Sequence, residues 1–222
     1  MMTNTSIKSK KRVQDHGEVF TPDFIVSDML ELVQQETERI DSRFLEPACG
    51  TGNFLIAILN RKLDIVKNRY KKSQLEYERF SIIAIASIYG IDILEDNVEE
   101  CRKRLFDIFE TEYKKIFKDK CKLECFESIK YVLERNILIG DALTLKTVNG
   151  ERPIVFSEWS AINGTMIKRR DYTLEKLLEN QSENKSTDMP NLFSDMGDKA
   201  FIPEPIAEFP PMHFLKLRES HE

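Results

Sequence analysis

The stretch RFLEPACGTGNFLIAILNRKL, residues 43–63, constrains the fold of this chain more than any other. A short apolar run from Phe44 to Glu46 leads into a turn that carries Gly50 and Gly52. Phe54, Leu55, Ile58 and Leu59 then recur at the spacing of one helical face. Strand, glycine turn and helix in that order open a βαβ unit, whose second strand lies parallel to the first after a long crossover. Glycine is otherwise scarce: the 222 residues contain 8, where average usage of about 7% would give roughly 16. Two glycines within three residues therefore mark a turn that needs a backbone free of Cβ.

The rest of the chain alternates in the same way. Thr21-Pro22-Asp23 reads as a helix start, with Thr21 as cap and proline at the first helical position. An amphipathic helix of about 16 residues is expected to follow, with Phe24, Ile25, Met29, Leu30 and Val33 on its apolar stripe. A helical stretch over 73–87 precedes the apolar run IYGIDI, which ends on Asp92. Residues 95–118 and 121–135 read as two further helices, NILIGDAL as a third strand, and RPIVFSEWS as a fourth. MIKRRDYTLEKLLE reads as a strand and a short helix. Apolar strands separated by long helices are buried on both faces, so the expected fold is α/β: a doubly wound, mostly parallel sheet with an N-terminal helix. Residues 1–16 read as a flexible basic arm, 17–180 as the folded domain, and 181–222 as an irregular tail or lid.

Composition narrows the partners. A net charge of −5 gives no overall attraction to a polyanion, so contact with nucleic acid needs a local patch or help from another chain. Cys49, Cys101, Cys121 and Cys125 form no CxxC pair, and His16, His213 and His221 lie far apart, so no metal is expected. The N-terminus is polar and basic, and no apolar run reaches 18 residues. The expected address is a reducing cytoplasm, with no membrane contact.

In open α/β sheets ligands bind at the carboxyl ends of the strands. Here the first end carries the glycine turn, the second Asp92, placed to accept from a ribose diol, and the third Asp141, in reach of an exocyclic amine. That set describes an adenosine-shaped pocket. Asp92 has a second possible role as the cap of the following helix, which Asp96 could also fill. Leu55 stands where a dinucleotide turn wants a third small residue, and no GxxxxGK[ST] occurs, so NAD and ATP lose ground. Cys49 reads as a small buried residue rather than a nucleophile.

FLEPACGTGNFL resembles the S-adenosylmethionine-binding motif of the DNA N6-adenine methyltransferases of restriction-modification systems, and GEVFTP resembles their N-terminal cofactor motif. IYGIDILEDNVEECRKRL and ILIGDAL are similar to the family's second- and third-strand motifs, in the order of the subclass whose cofactor motif precedes the glycine turn. The resemblance spans about residues 17–145 and implies a Rossmann-like class I methyltransferase fold. It implies that Phe20 and Thr21 lie near the cofactor's methionine and adenine ends, and that Glu46, Ala48, Gly50 and Gly52 line the methionine moiety. By the same resemblance Asp92 binds the ribose, Ile93 touches the adenine face and Asp141 accepts from the adenine amine.

One family motif is missing. The Asn/Asp/Ser-Pro-Pro-aromatic sequence that orients the target amine does not follow Asp141, and the only Pro-Pro, Pro210-Pro211, lies in a distant AEFPPMHF. If IVFSEWS is the fourth strand, Ser157, Glu158 and Trp159 fall where the motif belongs; the alternative is that Trp159 packs and Glu158 is solvated. Lys168-Arg169-Arg170 reads either as a phosphate contact or as a solvated face. Nothing after residue 145 resembles a region that reads base edges. DNA is therefore expected as a partner only within a complex, beside a specificity or modification subunit. A cofactor-binding subunit without catalysis, and a methyltransferase acting on protein or small molecules, remain open.

Overall fold

The computed structural model describes residue 12, residues 21–183 and residues 204–219. Two short helices, α1 (Asp23–Glu31) and α2 (Gln34–Thr37), precede strand β1 (Phe44–Glu46). Helices α3 (Asn53–Tyr70) and α4 (Gln74–Ala86) lead to β2 (Ile88–Asp92), and α5 (Glu95–Phe117) and α6 (Leu123–Asn136) lead to β3 (Ile137–Ile139). The three strands form one parallel sheet in the order β1-β2-β3, with Phe44 opposite Ile88 and Gly90 opposite Ile137. The pair of helices in the first crossover accounts for the long separation of Gly52 from Asp92.

Alternation along β2 divides the core in two. Ile88 joins the large cluster built with α3 to α6, in which Leu55, Ile58, Leu59, Phe109, Tyr113 and Val132 are fully buried. Tyr89 and Ile91 point to the other face and pack with Ile154, Phe156 and Leu174. The order β1-β2-β3 advances in one direction, and no reversal occurs among the described residues.

The fourth strand exists but joins a different sheet. β4 (Val155–Ala161) pairs antiparallel with β5 (Met166–Thr173), and short strands β6 (Ala207–Glu208) and β7 (Met212–His213) pair with β5 in turn. A parallel return needs a crossover, usually helical. The link after β3 instead doubles back on itself, with Asp141 N–H donating to Lys146 O (2.9 Å), Thr147 N–H to Arg152 O (2.8 Å), and Gly150 at φ 72° in the bend. Helix α7 (Leu174–Glu183) follows β5, as the sequence suggested.

Two further expectations change. The N-terminal helix stops at Glu31 because Val33 leaves helical geometry (φ −120°, ψ 30°). Its cap is Pro22, whose carbonyl accepts from Ile25 and Val26, and not Thr21. Val26 and Leu30 are buried, whereas Phe24, Ile25, Met29 and Val33 are exposed. In the segment expected to be an irregular tail, residues 204–219 are docked: Phe214 and Leu217 are buried against the helical cluster, and Phe209 lies with its ring 4.0 Å from the Arg169 guanidinium.

One buried cation anchors the amino-terminal ends of the strands. Lys62, on the inner face of α3, donates to Ile40 O (3.1 Å), Ser42 O and Ser87 Oγ, and is fully enclosed. Burial pushes its ammonium down to about 7.

Candidate functional site

The strands of the parallel sheet end side by side at Glu46, Asp92 and Ile139. Beyond β1 the chain turns at once: Cys49 N–H donates to Ile91 O and Gly52 N–H to Cys49 O, each over 2.8 Å. Gly50 and Gly52 have φ of 51° and 88°, in the left-handed region that side chains resist. A Cβ on Gly52 would also lie 2.6 Å from Cys101 Sγ on α5. Cys49 is buried beneath the turn, and its hydrogen bond with Cys101 together with burial holds the thiol well above its ordinary range. It is not a poised nucleophile.

Asp92 is the hub of this end. Its Oδ2 accepts from Gly50 N–H (2.9 Å), its Oδ1 from Leu94 N–H (2.9 Å) and Asn97 Nδ2 (3.2 Å), and its backbone carbonyl from Gly140 N–H (3.0 Å). The carboxylate thus ties the glycine turn to the start of α5. It does so from two residues ahead of the N-cap, Leu94, so neither Asp92 nor Asp96 is the cap itself. An ionised carboxylate offers about four lone-pair sites. The three side-chain bonds leave room for one more donor.

The other expected residues border the same end. Glu46 is partly buried, and desolvation raises its carboxyl above the ordinary range against a lowering contact from the Ala48 backbone. Ala48 is exposed, and Ile93 is 44% exposed beside Asp92. Asp141 lies one residue beyond Gly140, and its Oδ1 accepts from Leu143 N–H (2.8 Å), which lowers its carboxyl. Thr21 is exposed, and its carbonyl accepts from Asn53 Nδ2 over 3.3 Å. Phe20 lies outside the described residues.

Sequence reasoning missed the polar side chains behind the turn. Arg104 Nη1, on α5, donates to Thr51 O (2.7 Å), Thr51 Oγ1 (3.1 Å) and Asn53 Oδ1 (2.9 Å). Asn97 links Asp92 to Arg12, which also reaches Asp96 over 2.6 Å. Arg104 stands three residues after Cys101, on the same helical face, and that spacing was the only signal in the sequence.

Ser157, Glu158 and Trp159 do not reach this end. Ser157 is buried between Asp171 (2.7 Å) and Arg169 (3.1 Å). Trp159 donates to Asn136 Oδ1 over 3.1 Å, and Asn136 in turn donates to Ala86 O and Ile88 O, at the amino-terminal end of β2. Four steps of about 3.3 Å separate that end of β2 from Asp92, about 13 Å in all. Glu158 pairs with Arg43 (2.6 Å), just ahead of β1, and with Arg170 (3.4 Å). The basic triplet is engaged internally as well: Lys168 with Glu208 (2.6 Å), Arg169 with Asp171 (2.6 Å), and Arg170 with Glu158 and Glu208. Among the described residues no cluster of His, Cys, Asp and Glu could hold a metal, and no helix is long and apolar enough to cross a membrane.

A parallel sheet with a glycine turn and acids at its strand ends is the arrangement by which open α/β sheets bind ligands. The family model of the MmeI DNA-methyltransferase domain matches residues 24–151, more than half of the chain, and the protein belongs to that family. The match covers α1 to β3 and stops before β4, so the antiparallel sheet lies outside it. No curated protein and no solved structure matches the chain.

Proposed function

We propose that the domain binds S-adenosylmethionine at the three strand ends and serves methylation of adenine N6 in DNA within a larger complex. Asp92 carries the reading: it is fixed by the glycine turn and by α5, and it keeps acceptor capacity for a ribose hydroxyl. Glu46, raised by burial, suits the cofactor's ammonium, whose charge would favour the ionised carboxylate. Asp141 is held as an acceptor beside the adenine amine. Family membership supports the same cofactor, the usual methyl donor of such domains.

The sheet is one half of a doubly wound, Rossmann-like sheet on this reading. In the order 3-2-1-4-5-6 the reversal sets the next strand beside the first. The outer edge of β1 has no strand partner among the described residues. A partner subunit would supply that strand with the Pro-Pro-aromatic motif, and would supply target recognition. One observation favours a second reading, a cofactor-binding subunit without catalysis: Ser157, Glu158 and Trp159 are committed to packing at the opposite end of the sheet.

Calorimetry with S-adenosylmethionine tests the first claim. Binding by the wild type, lost or strongly weakened in Asp92→Ala and weakened in Asp141→Ala, is the expected result. No binding by the wild type, or binding unchanged in both variants, refutes it. Transfer of labelled methyl groups to DNA only when neighbouring gene products are added separates the catalytic complex from the non-catalytic subunit.

A further inference from the structure

We propose that Arg104 is the positioning residue that joins the two cofactor-binding segments, the glycine turn and the Thr21 segment, into one preformed surface. The inference rests on the S-adenosylmethionine reading above and gives a role to a residue to which the resemblance assigned none.

The glycine turn is anchored from below by Cys49, which is buried in the helical cluster, and at Gly50 by Asp92. Its far side, Thr51 to Asn53, meets what α5 presents. Cys101, fully buried, fills the space that Gly52 leaves open. Arg104, three residues on, presents one guanidinium nitrogen to the Thr51 carbonyl, the Thr51 hydroxyl and the Asn53 amide oxygen. Because Arg104 takes that oxygen, the Asn53 amide must turn its nitrogen outward, and the nitrogen donates to the Thr21 carbonyl. One cation therefore fixes the turn directly and fixes the Thr21 segment through the orientation of Asn53. Asparagine alone could flip and release that segment.

Charge adds a second consequence. Arg104 is half-buried, and the acceptors it meets, on Thr51 and Asn53, are neutral, so it brings positive charge to the back of the turn. The methionine moiety carries a carboxylate, and the resemblance sets that moiety against Glu46, Ala48, Gly50 and Gly52. A cation at that end favours the intact cofactor over a nucleoside without the amino-acid part.

The comparison that tests this uses S-adenosylmethionine and 5′-methylthioadenosine, which lacks the amino-acid moiety. Arg104→Met is expected to weaken the first about tenfold, in line with the loss of charge-assisted hydrogen bonds, and to leave the second within about twofold. Arg104→Lys, which keeps a charged donor without the fork, falls between. Asn53→Ala added to Arg104→Met is expected to cost little more than either change alone, since both act through one network. Equal losses for the two ligands, or no loss for either, overturn the proposal. Hydrogen exchange supplies a readout that needs no ligand: in Arg104→Met the amides of residues 48–54 exchange faster while those of β4 and β5 do not. If the wild type binds neither ligand, the cofactor reading fails, and unchanged exchange over residues 48–54 then overturns the role of Arg104 as well.

Discussion

Replacing Gly52 by alanine separates two physical demands that the glycine turn makes at one position. The backbone there sits at φ 88°, ψ 23°, where an L-residue with a Cβ is strained by about 1–2 kcal/mol. The added methyl would also lie 2.6 Å from Cys101 Sγ, about 1 Å inside ordinary contact. Cys101 is fully buried within a 23-residue helix and has little room to retreat, so overpacking adds about 1–3 kcal/mol. Gly52→Ala should therefore destabilise by about 2–5 kcal/mol, a large share of a typical domain's stability of about 5–15 kcal/mol. Cys101→Ala removes the offending sulfur, after which the nearest atom to the new methyl is the residue-101 Cβ at 3.4 Å. The double variant should recover the overpacking part and retain the backbone part. Equilibrium urea unfolding of the four proteins measures this, with a coupling of about 1–3 kcal/mol expected. Additivity within about 0.5 kcal/mol would refute the steric half of the reasoning, and the unmodified stability of Gly52→Ala alone would refute both.

Other expected outcomes concern the opposite end of the sheet. Lys62 holds a proton with a pKa of about 7 in the folded chain and 10.5 when unfolded. Between these values the unfolded chain binds more protons, so raising the pH from about 7 towards 10 should stabilise the wild type relative to Lys62→Met by up to about 1.4 kcal/mol per pH unit. Urea midpoints of both proteins at pH 7 and 9 measure the difference, and parallel curves would disprove the lowered ammonium. Trp159→Phe removes the hydrogen bond to Asn136 while keeping an aromatic ring against Tyr131. It should destabilise by about 1–3 kcal/mol and leave cofactor affinity unchanged; a selective loss of methyl transfer with normal stability would return Trp159 to the site. Asp171→Asn leaves the buried Arg169 guanidinium without its paired carboxylate and should destabilise by about 3–5 kcal/mol, read by thermal unfolding.

Local chemistry made the parallel half of the fold legible. Phe44 to Glu46, the two glycines, the Leu55, Ile58, Leu59 stripe and Asp92 each declare their element through period or turn chemistry, within a few neighbouring residues. Membership in the methyltransferase family rests on a longer match, residues 24–151, that contains them. The fate of Val155–Ala161 was not legible, because an apolar strand carries no mark of the sheet it joins. That choice was made by the irregular link after β3, too tightly folded on itself for a helical crossover, and by β5, which offers antiparallel partners along the whole of β4. The polar network behind the glycine turn was hidden for a similar reason. Arg104 and Asn53 are surface-type residues on helices in sequence, and only the packing of α5 against the start of α3, and of α3 beside Thr21, brings them to Thr51 and Thr21. Sequence alone determined which residues end the parallel strands, since strand, turn and acid are local features. Tertiary structure decided which side chains hold those ends in place and which end of the sheet Trp159 faces, since both depend on contacts between residues far apart in the chain.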